Sequence, residues 1–480
     1  MAVARASSRG RAHTKNNYDI SKGRELRNKR KNSSLGVLIG FGLTIAGALF
    51  VYNSSMFERE APAIELHTNG YWNLKEALKL DIVDESGLKY VKVTMKTKSE
   101  EEVLHYEKYL EPKKAALLEI KPPRSAYAVN ESELTIVVEA GDESKWNFLE
   151  GNQVRQEYKI KADKQKPSVA ILSNSYKISK GGVALVVFKA EDANIEDIYI
   201  QTSFDKKFKP QPFYKEGYYI SLLAWPIQES HFKATVVVSD KASNVSKVYI
   251  PLYLQQKNYK VSNIKLTERF LKGKIAELAE EFVETQGVED SEKQFRTINE
   301  DVRRRNEILI HEITSKVPQN MISDFTINKM YPLKNAQVVA HFGDHRKYSY
   351  NGKDMGKSYH LGLDLASNAM AAIKPQNGGE VVYANYNGLY GHMPIVYHGL
   401  GLYTLYGHCS SLSVNTGDTI EPGQTIANSG KSGYAMGDHL HFGVLVQGIE
   451  VHPAEWMDED WIKLNIYNVM QNAKALIDKN

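Results

Sequence analysis

A single cysteine, Cys409, is all the thiol chemistry the chain contains. With no second cysteine, an internal disulfide framework is excluded. An excess of charge of one sign is lacking too: 61 Lys and Arg stand against 57 Asp and Glu, a net charge of +4. Even that excess is local. Residues 1–33 hold ten basic and two acidic residues, which leaves 51 basic against 55 acidic in the rest. A mildly acidic body with a basic tail argues against a nucleic-acid-binding protein. Also missing, from Ala61 to Leu254, is any constellation of catalytic side chains. Apolar residues make up 42% and charged residues 25%, ordinary for folded protein, and 480 residues suffice for three or four domains.

What is present begins with that tail. Residues 1–33 are polar and basic and read as unstructured. Asn32 to Phe57 carries no charge, and its apolar heart around Leu35 to Val51 is long enough, as a helix, to cross a bilayer. Arg27 and Lys29-Arg30-Lys31 sit just before it, so the positive-inside rule keeps the N-terminus in the cytoplasm and exports the chain beyond residue 57. The long basic lead favours an uncleaved anchor over a signal peptide cut near Ala46-Gly47-Ala48.

From Ala61 to Leu254 the pattern is strand-like, as in Tyr90 to Met95, Leu134 to Val138, Val183 to Phe188 and Ala234 to Val238. A weak internal repeat fits two tandem sandwiches resembling immunoglobulin-like modules, joined near Asp163 to Pro167. Trp146 and Trp225 read as core residues. From Leu266 the period becomes helical: Phe295, Ile298, Val302, Leu309 and Ile313 fall on one face. Arg303-Arg304-Arg305 reads as a solvated helix surface. The expected fold is therefore mainly β. A basic tail (1–33) and a single transmembrane helix (34–53) precede two Ig-like β-sandwiches (60–163 and 164–256). A helical linker (264–318), a β-rich domain (325–460) and a C-terminal helix (461–480) complete the chain.

Chemistry gathers near the end: nine of the 14 histidines lie after residue 340. As strands, His439-Leu440-His441-Phe442 and His360-Leu361-Gly362-Leu363-Asp364-Leu365 would each send polar groups to one face and leucine or phenylalanine to the other. Tyr406-Gly407-His408-Cys409 adds a third histidine. Alternation puts Cys409 on the opposite side from His408, as a small core residue.

These ordered motifs, from Tyr331 to Trp456, resemble the lysostaphin/LytM-type zinc endopeptidases, with their H-x-x-x-D and H-x-H motifs. The resemblance implies a zinc ion (Zn2+) held by His360, Asp364 and His441, with His408 and His439 beside it as catalytic groups. Two imidazoles, one carboxylate and an open position for water suit hydrolysis. Asp438, Met436 and Gly443 depart from the residues usual in the family (Pro, Thr and Glu), which bears on the cleft wall. Arg346 could pair with a peptide carboxylate and His392 could touch substrate, while Arg346 to Tyr359 reads as a loop shaping the cleft. His398 reads as structural and His452 as a surface residue. The implied function is hydrolysis of peptide cross-links in peptidoglycan. The enzyme would be anchored in the bacterial inner membrane with its catalytic domain periplasmic or extracytoplasmic. Implied partners are peptidoglycan peptide stems and wall-synthesis or regulatory proteins. The alternative is a non-catalytic scaffold that activates other wall hydrolases.

Overall fold

The computed structural model describes residues 20–124, 126, 129 and 131–479, so residues 1–19 of the expected tail lie outside the described residues. The first helix, Ile20–Asn53, starts well inside that tail. Its Lys, Arg, Glu and Leu residues are good helix formers and extend the apolar helix backwards. Leu35–Asn53 is long and apolar enough to cross a membrane, and none of it is buried.

The chain divides into two compact units, Met1–Asp163 and Lys164–Asn480. The β part of the first is one continuous six-stranded hydrogen-bonded sheet. Two long strands, Leu78–Lys96 and Glu101–Ile120, pair along most of their length. Their register breaks between Val83 and Leu88, at Gly87, whose φ is +95°. One half of Leu78–Lys96 pairs with Ala63–His67 and the other with Glu133–Asp142. Leu80, Ile82, Val91, Val93, Ile136 and Val138 form its core. Trp146 is not core: it is 37% exposed, with the Arg59 guanidinium over its ring.

In the second unit, the strands between Ser168 and Tyr249 form two four-stranded sheets, a sandwich with one core. It is not a separate bead, however. Its core, from Ile178 to Ile250, runs without a break into that of the C-terminal domain as far as Ile477. The helix Asn468–Ile477 packs on Ser168–Asn174 and Val183–Glu191. Polar ties cross the join: Val183 N–H donates to Glu455 Oε2 (2.9 Å), and Lys209 N–H to Gln447 Oε1 (2.8 Å). Trp225, as expected, is fully buried.

The C-terminal domain is built on an eight-stranded sheet. Leu363–Ala366, Leu440–Val446 and Leu402–Gly407 are adjacent and antiparallel at its heart. Both faces are covered. Leu440, Phe442, Val444 and Val446 enter the core shared with the sandwich, whereas Leu445 joins Leu405 and Tyr403 beneath the helices. Those helices, spanning Glu268 to Thr314, form no free linker: Leu271, Ile275, Phe295 and Ile310 roof this second face. A wide π turn at Ile298–Val302 shifts their phase, so that Asn306, Ile310 and Thr314 are the buried positions beyond it. The expected loop after Arg346 is a hairpin, His345–Tyr350 with Lys353–Tyr359, turning at Asn351-Gly352. Val261–Lys265 adds to it as a parallel third strand.

Candidate metal centre and cleft

Register brings the polar residues together. Asp364 stands directly across from His441, and Gly407 stands across from His441 on its other side. Alternation sends Leu363 and Leu365 into the shared core and leaves Asp364 on the face with His441. His360 comes from the approach to the same strand. Its backbone N–H donates to the Asp344 carbonyl (3.0 Å), and its carbonyl accepts from Gly343 N–H (2.7 Å).

Three atoms converge. His360 Nε2 and His441 Nδ1 each lie 2.9 Å from Asp364 Oδ1, and 3.2 Å from one another. All three side chains are buried, and they form a group able to hold a metal ion. His360 Nδ1 donates to the His341 carbonyl (2.9 Å), which turns the lone pair of Nε2 inward. Burial alone would raise the Asp364 carboxyl, but the His360 and His441 rings packed against it outweigh that and hold it well below the usual carboxylate range. Burial lowers His441. Two imidazole nitrogens and one carboxylate oxygen are donors that zinc takes, so these residues fit zinc. Gly362 makes room for them: a Cβ there would lie 2.6 Å from the His441 ring.

His408 and His439 flank the group, their ring centroids 4.8 Å apart. Each gives its Nδ1–H to a carbonyl 2.8 Å away, of Ser432 and Gly437 respectively. Both Nε2 lone pairs are thereby free for the site, and His439 Nε2 is 3.7 Å from Asp364 Oδ1. Burial, then the nearby imidazoles of His441 and His439, push His408 down to about 3. Its backbone is held at φ +65°, an uncommon conformation for a residue other than glycine. Its N–H donates to the Tyr390 carbonyl (2.8 Å), and the Tyr390 ring meets His441 edge to face.

The five residues open into a cavity of about 400 Å³. Arg346 lines it, as do Phe270 and Arg303 from the helical roof and Tyr348 and Tyr359 from the hairpin. His392 does not line it. Its ring is exposed against Tyr386 (5.3 Å), and only its backbone reaches the site, by pairing with Cys409. Cys409 is fully buried, and burial pushes its thiol up to about 12, which removes it as a nucleophile. His398 is structural, bridging the Gly378 carbonyl and Thr404 Oγ1. His452 is no surface residue: it caps a short helix through Ala454 N–H and packs on Phe342. Of the departures in the cleft wall, Asp438 ties Ser429 to Met370 N–H, Met436 is exposed at the rim, and Gly443 lies against Leu405.

Sequence reasoning missed the roof residues. Phe270 and Arg303 reach the cleft only through packing of helices distant in sequence, and Tyr390 reaches it from the short turn Gly388–Tyr390. The hairpin did leave a signal, the Asn351-Gly352 pair between alternating residues.

Residues 358–453 match peptidase family M23. An uncharacterized metalloprotease of Haemophilus influenzae is 32% identical over 125 residues, 26% of this chain and 26% of its own length. Peptidoglycan DD-endopeptidase ShyC of Vibrio cholerae is 30% identical over 122 residues, 25% of this chain and 28% of its own length. The chain thus spans about a quarter of the length of these relatives. A crystal structure of a putative peptidase M23 from Pseudomonas aeruginosa aligns over 58% of this chain and 95% of that one, at 18% identity and a TM-score of 0.37. With its two motifs meeting in one buried donor set, the stretch 358–453 of this chain is similar to peptidase family M23.

Proposed function

We propose that this chain is a membrane-anchored, zinc-dependent endopeptidase that hydrolyses peptide cross-links of peptidoglycan. The observation that carries the reading is the convergence of His360 Nε2, Asp364 Oδ1 and His441 Nδ1 at the floor of an open cavity. These three residues would hold the zinc. Zinc, when bound, supplies Lewis acidity, polarising the scissile carbonyl and making a water acidic enough to ionise near neutral pH.

The chain's own groups handle protons and position. His439 Nε2, with its Nδ1–H fixed on the Gly437 carbonyl, accepts the proton of the attacking water. His408, held at both its backbone and its Nδ1, receives that proton at Nε2 from the neighbouring His439 ring and then hydrogen-bonds the carbonyl oxygen or protonates the leaving amine. Water adds to the carbonyl carbon, the C–N bond breaks, and the proton taken up by imidazole ends on the amine. Arg346 pairs with a peptide carboxylate. Leu35–Asn53 anchors the protein in the inner membrane, with basic residues on the cytoplasmic side and the cleft outside. The related DD-endopeptidase supports the wall substrate.

The test is digestion of purified peptidoglycan by the full chain in detergent, with fragments identified by mass. We expect cross-linked dimers to disappear. A chelator should stop the reaction, zinc should restore it, and His441→Ala should lower the rate at least about a thousandfold. Intact peptidoglycan after zinc loading would replace this reading with that of a scaffold for other hydrolases.

A further inference from the structure

We propose that Arg303 and Arg346 together form an anion subsite in this cleft that takes a free carboxylate of the substrate peptide. The enzyme would then select peptides with an unamidated carboxylate close to the bond it cuts. This deepens the peptidase reading above and rests on it.

The run Arg303-Arg304-Arg305 splits three ways. Arg304 is exposed and pairs with Asp301 (3.2 Å), and Arg305 pairs with Glu284 (2.5 Å). Arg303 turns inward and lines the cavity. Its Nε donates to the Asn299 carbonyl (3.2 Å) and its Nη2 to Asn299 Oδ1 (3.4 Å). Both acceptors are neutral, so they fix the guanidinium without cancelling its charge. Among the described residues no carboxylate lies within ion-pair distance of it. A guanidinium has five N–H donors, so most of this one stays available.

Arg346 approaches from the hairpin strand His345–Tyr350. Its Nε faces Asp344 Oδ2 at 3.5 Å, an ion pair that leaves both terminal nitrogens uncommitted. The two arginines meet at Tyr434. Its hydroxyl is raised chiefly by burial, and the positive charges of both arginines pull it part of the way back. The Tyr434 ring also lies under Arg303, 6.0 Å from the guanidinium carbon.

Charge in the lining is one-sided. Lys265, Arg303 and Arg346 are cationic, and the lone carboxylate there, Asp364, is committed to His360 and His441. Glu307, one turn beyond Arg303, does not line the cavity; burial raises its carboxyl to about 7, although the Arg303 charge pulls it part of the way back. Phe270, Leu389 and Tyr390 supply apolar wall, which strengthens attraction for an anion. Guanidinium groups suit a carboxylate, whose two oxygens they bind in parallel. A cavity of about 400 Å³ holds only a short piece of peptide, so the carboxylate must lie within about two residues of the scissile bond.

The experiment uses two cross-linked muropeptides that differ only in carrying a carboxylate or a primary carboxamide beside the scissile bond. Hydrolysis by the zinc-loaded full chain is measured alongside equilibrium binding of both peptides to the metal-free full chain. We expect wild type to favour the carboxylate at least about tenfold in both assays. Arg303→Gln should remove most of that preference through KM, with kcat within about threefold of wild type. Arg303→Lys should keep part of it, and Arg304→Gln all of it. Melting curves show that each variant is folded. Equal binding of the two peptides by wild type, or an undiminished preference in both Arg303→Gln and Arg346→Gln, overturns the proposal. Carboxylate-selective binding without hydrolysis sinks the peptidase reading instead and leaves the subsite standing.

Discussion

The two β regions ahead of the peptidase domain look alike in sequence and are held together differently. In the first, Glu101–Ile120 alternates exposed and partly buried residues over its first half, and the sheet has a core of its own. In the second, Val183–Glu191 is buried at seven of its nine residues, and its core belongs equally to the peptidase domain. An apolar run with no polar alternation needs cover on both faces. Here the opposing sheet supplies one cover and the helix Asn468–Ile477 the other. An uninterrupted run such as Val183 to Phe188 therefore signals a domain that cannot stand alone, whereas alternation signals one that can.

The largest test of this contrast compares two buried truncations. Phe188→Ala should cost about 3–5 kcal/mol and lower the melting of the sandwich and the peptidase domain as one transition, with loss of peptidase activity. Ile82→Ala, equally buried in the first unit, should cost about 2–5 kcal/mol and leave both the second transition and the activity in place. Calorimetry with a hydrolysis assay reads both, and a shared transition in the Ile82 variant would break the comparison.

A smaller effect centres on the site. Gly362→Ala places a methyl group 2.6 Å from the His441 ring and must displace it. We expect about a hundredfold loss in kcat/KM together with weaker zinc binding, and a lower melting temperature as well, because the same methyl group would lie 2.8 Å from the Phe442 carbonyl.

A further test sharpens the join itself. Burial raises the Glu455 carboxyl, beside Gly182, from 4.5 to about 8. A folded value above the unfolded one means that its contribution is complete below about pH 4.5 and is lost as the pH rises to about 8. Stability of the second unit should fall by about 1.4 kcal/mol per pH unit across that window. Glu455→Gln should flatten the slope, and an unchanged slope in denaturation curves would show that the carboxyl does not titrate there.

Much of the site was legible because its residues are ordered along neighbouring strands. His360, Asp364 and His441 need only strand alternation and one register to meet. His408 and His439 come from the same sheet. Arg303 was not legible. Its role depends on which side of a helix faces a sheet, and the π turn at Ile298–Val302 altered that phase. Trp146 was misread because an exposed ring under Arg59 leaves the same trace in sequence as a buried one. The union of sandwich and peptidase domain was hidden because its contacts join residues far apart in the chain.

That distance bears on how the protein is made. Ser175 Oγ donates to the Asn465 carbonyl across 290 residues of chain, beside the helix that covers the sandwich. Synthesis runs from the N-terminus, so the strands around Val183 emerge long before their cover does. Until Asn468–Ile477 arrives, an apolar sheet face stays open to wrong partners, and contacts of such span close slowly. In a chain of this design the first unit can be complete while the second still waits for its last helix.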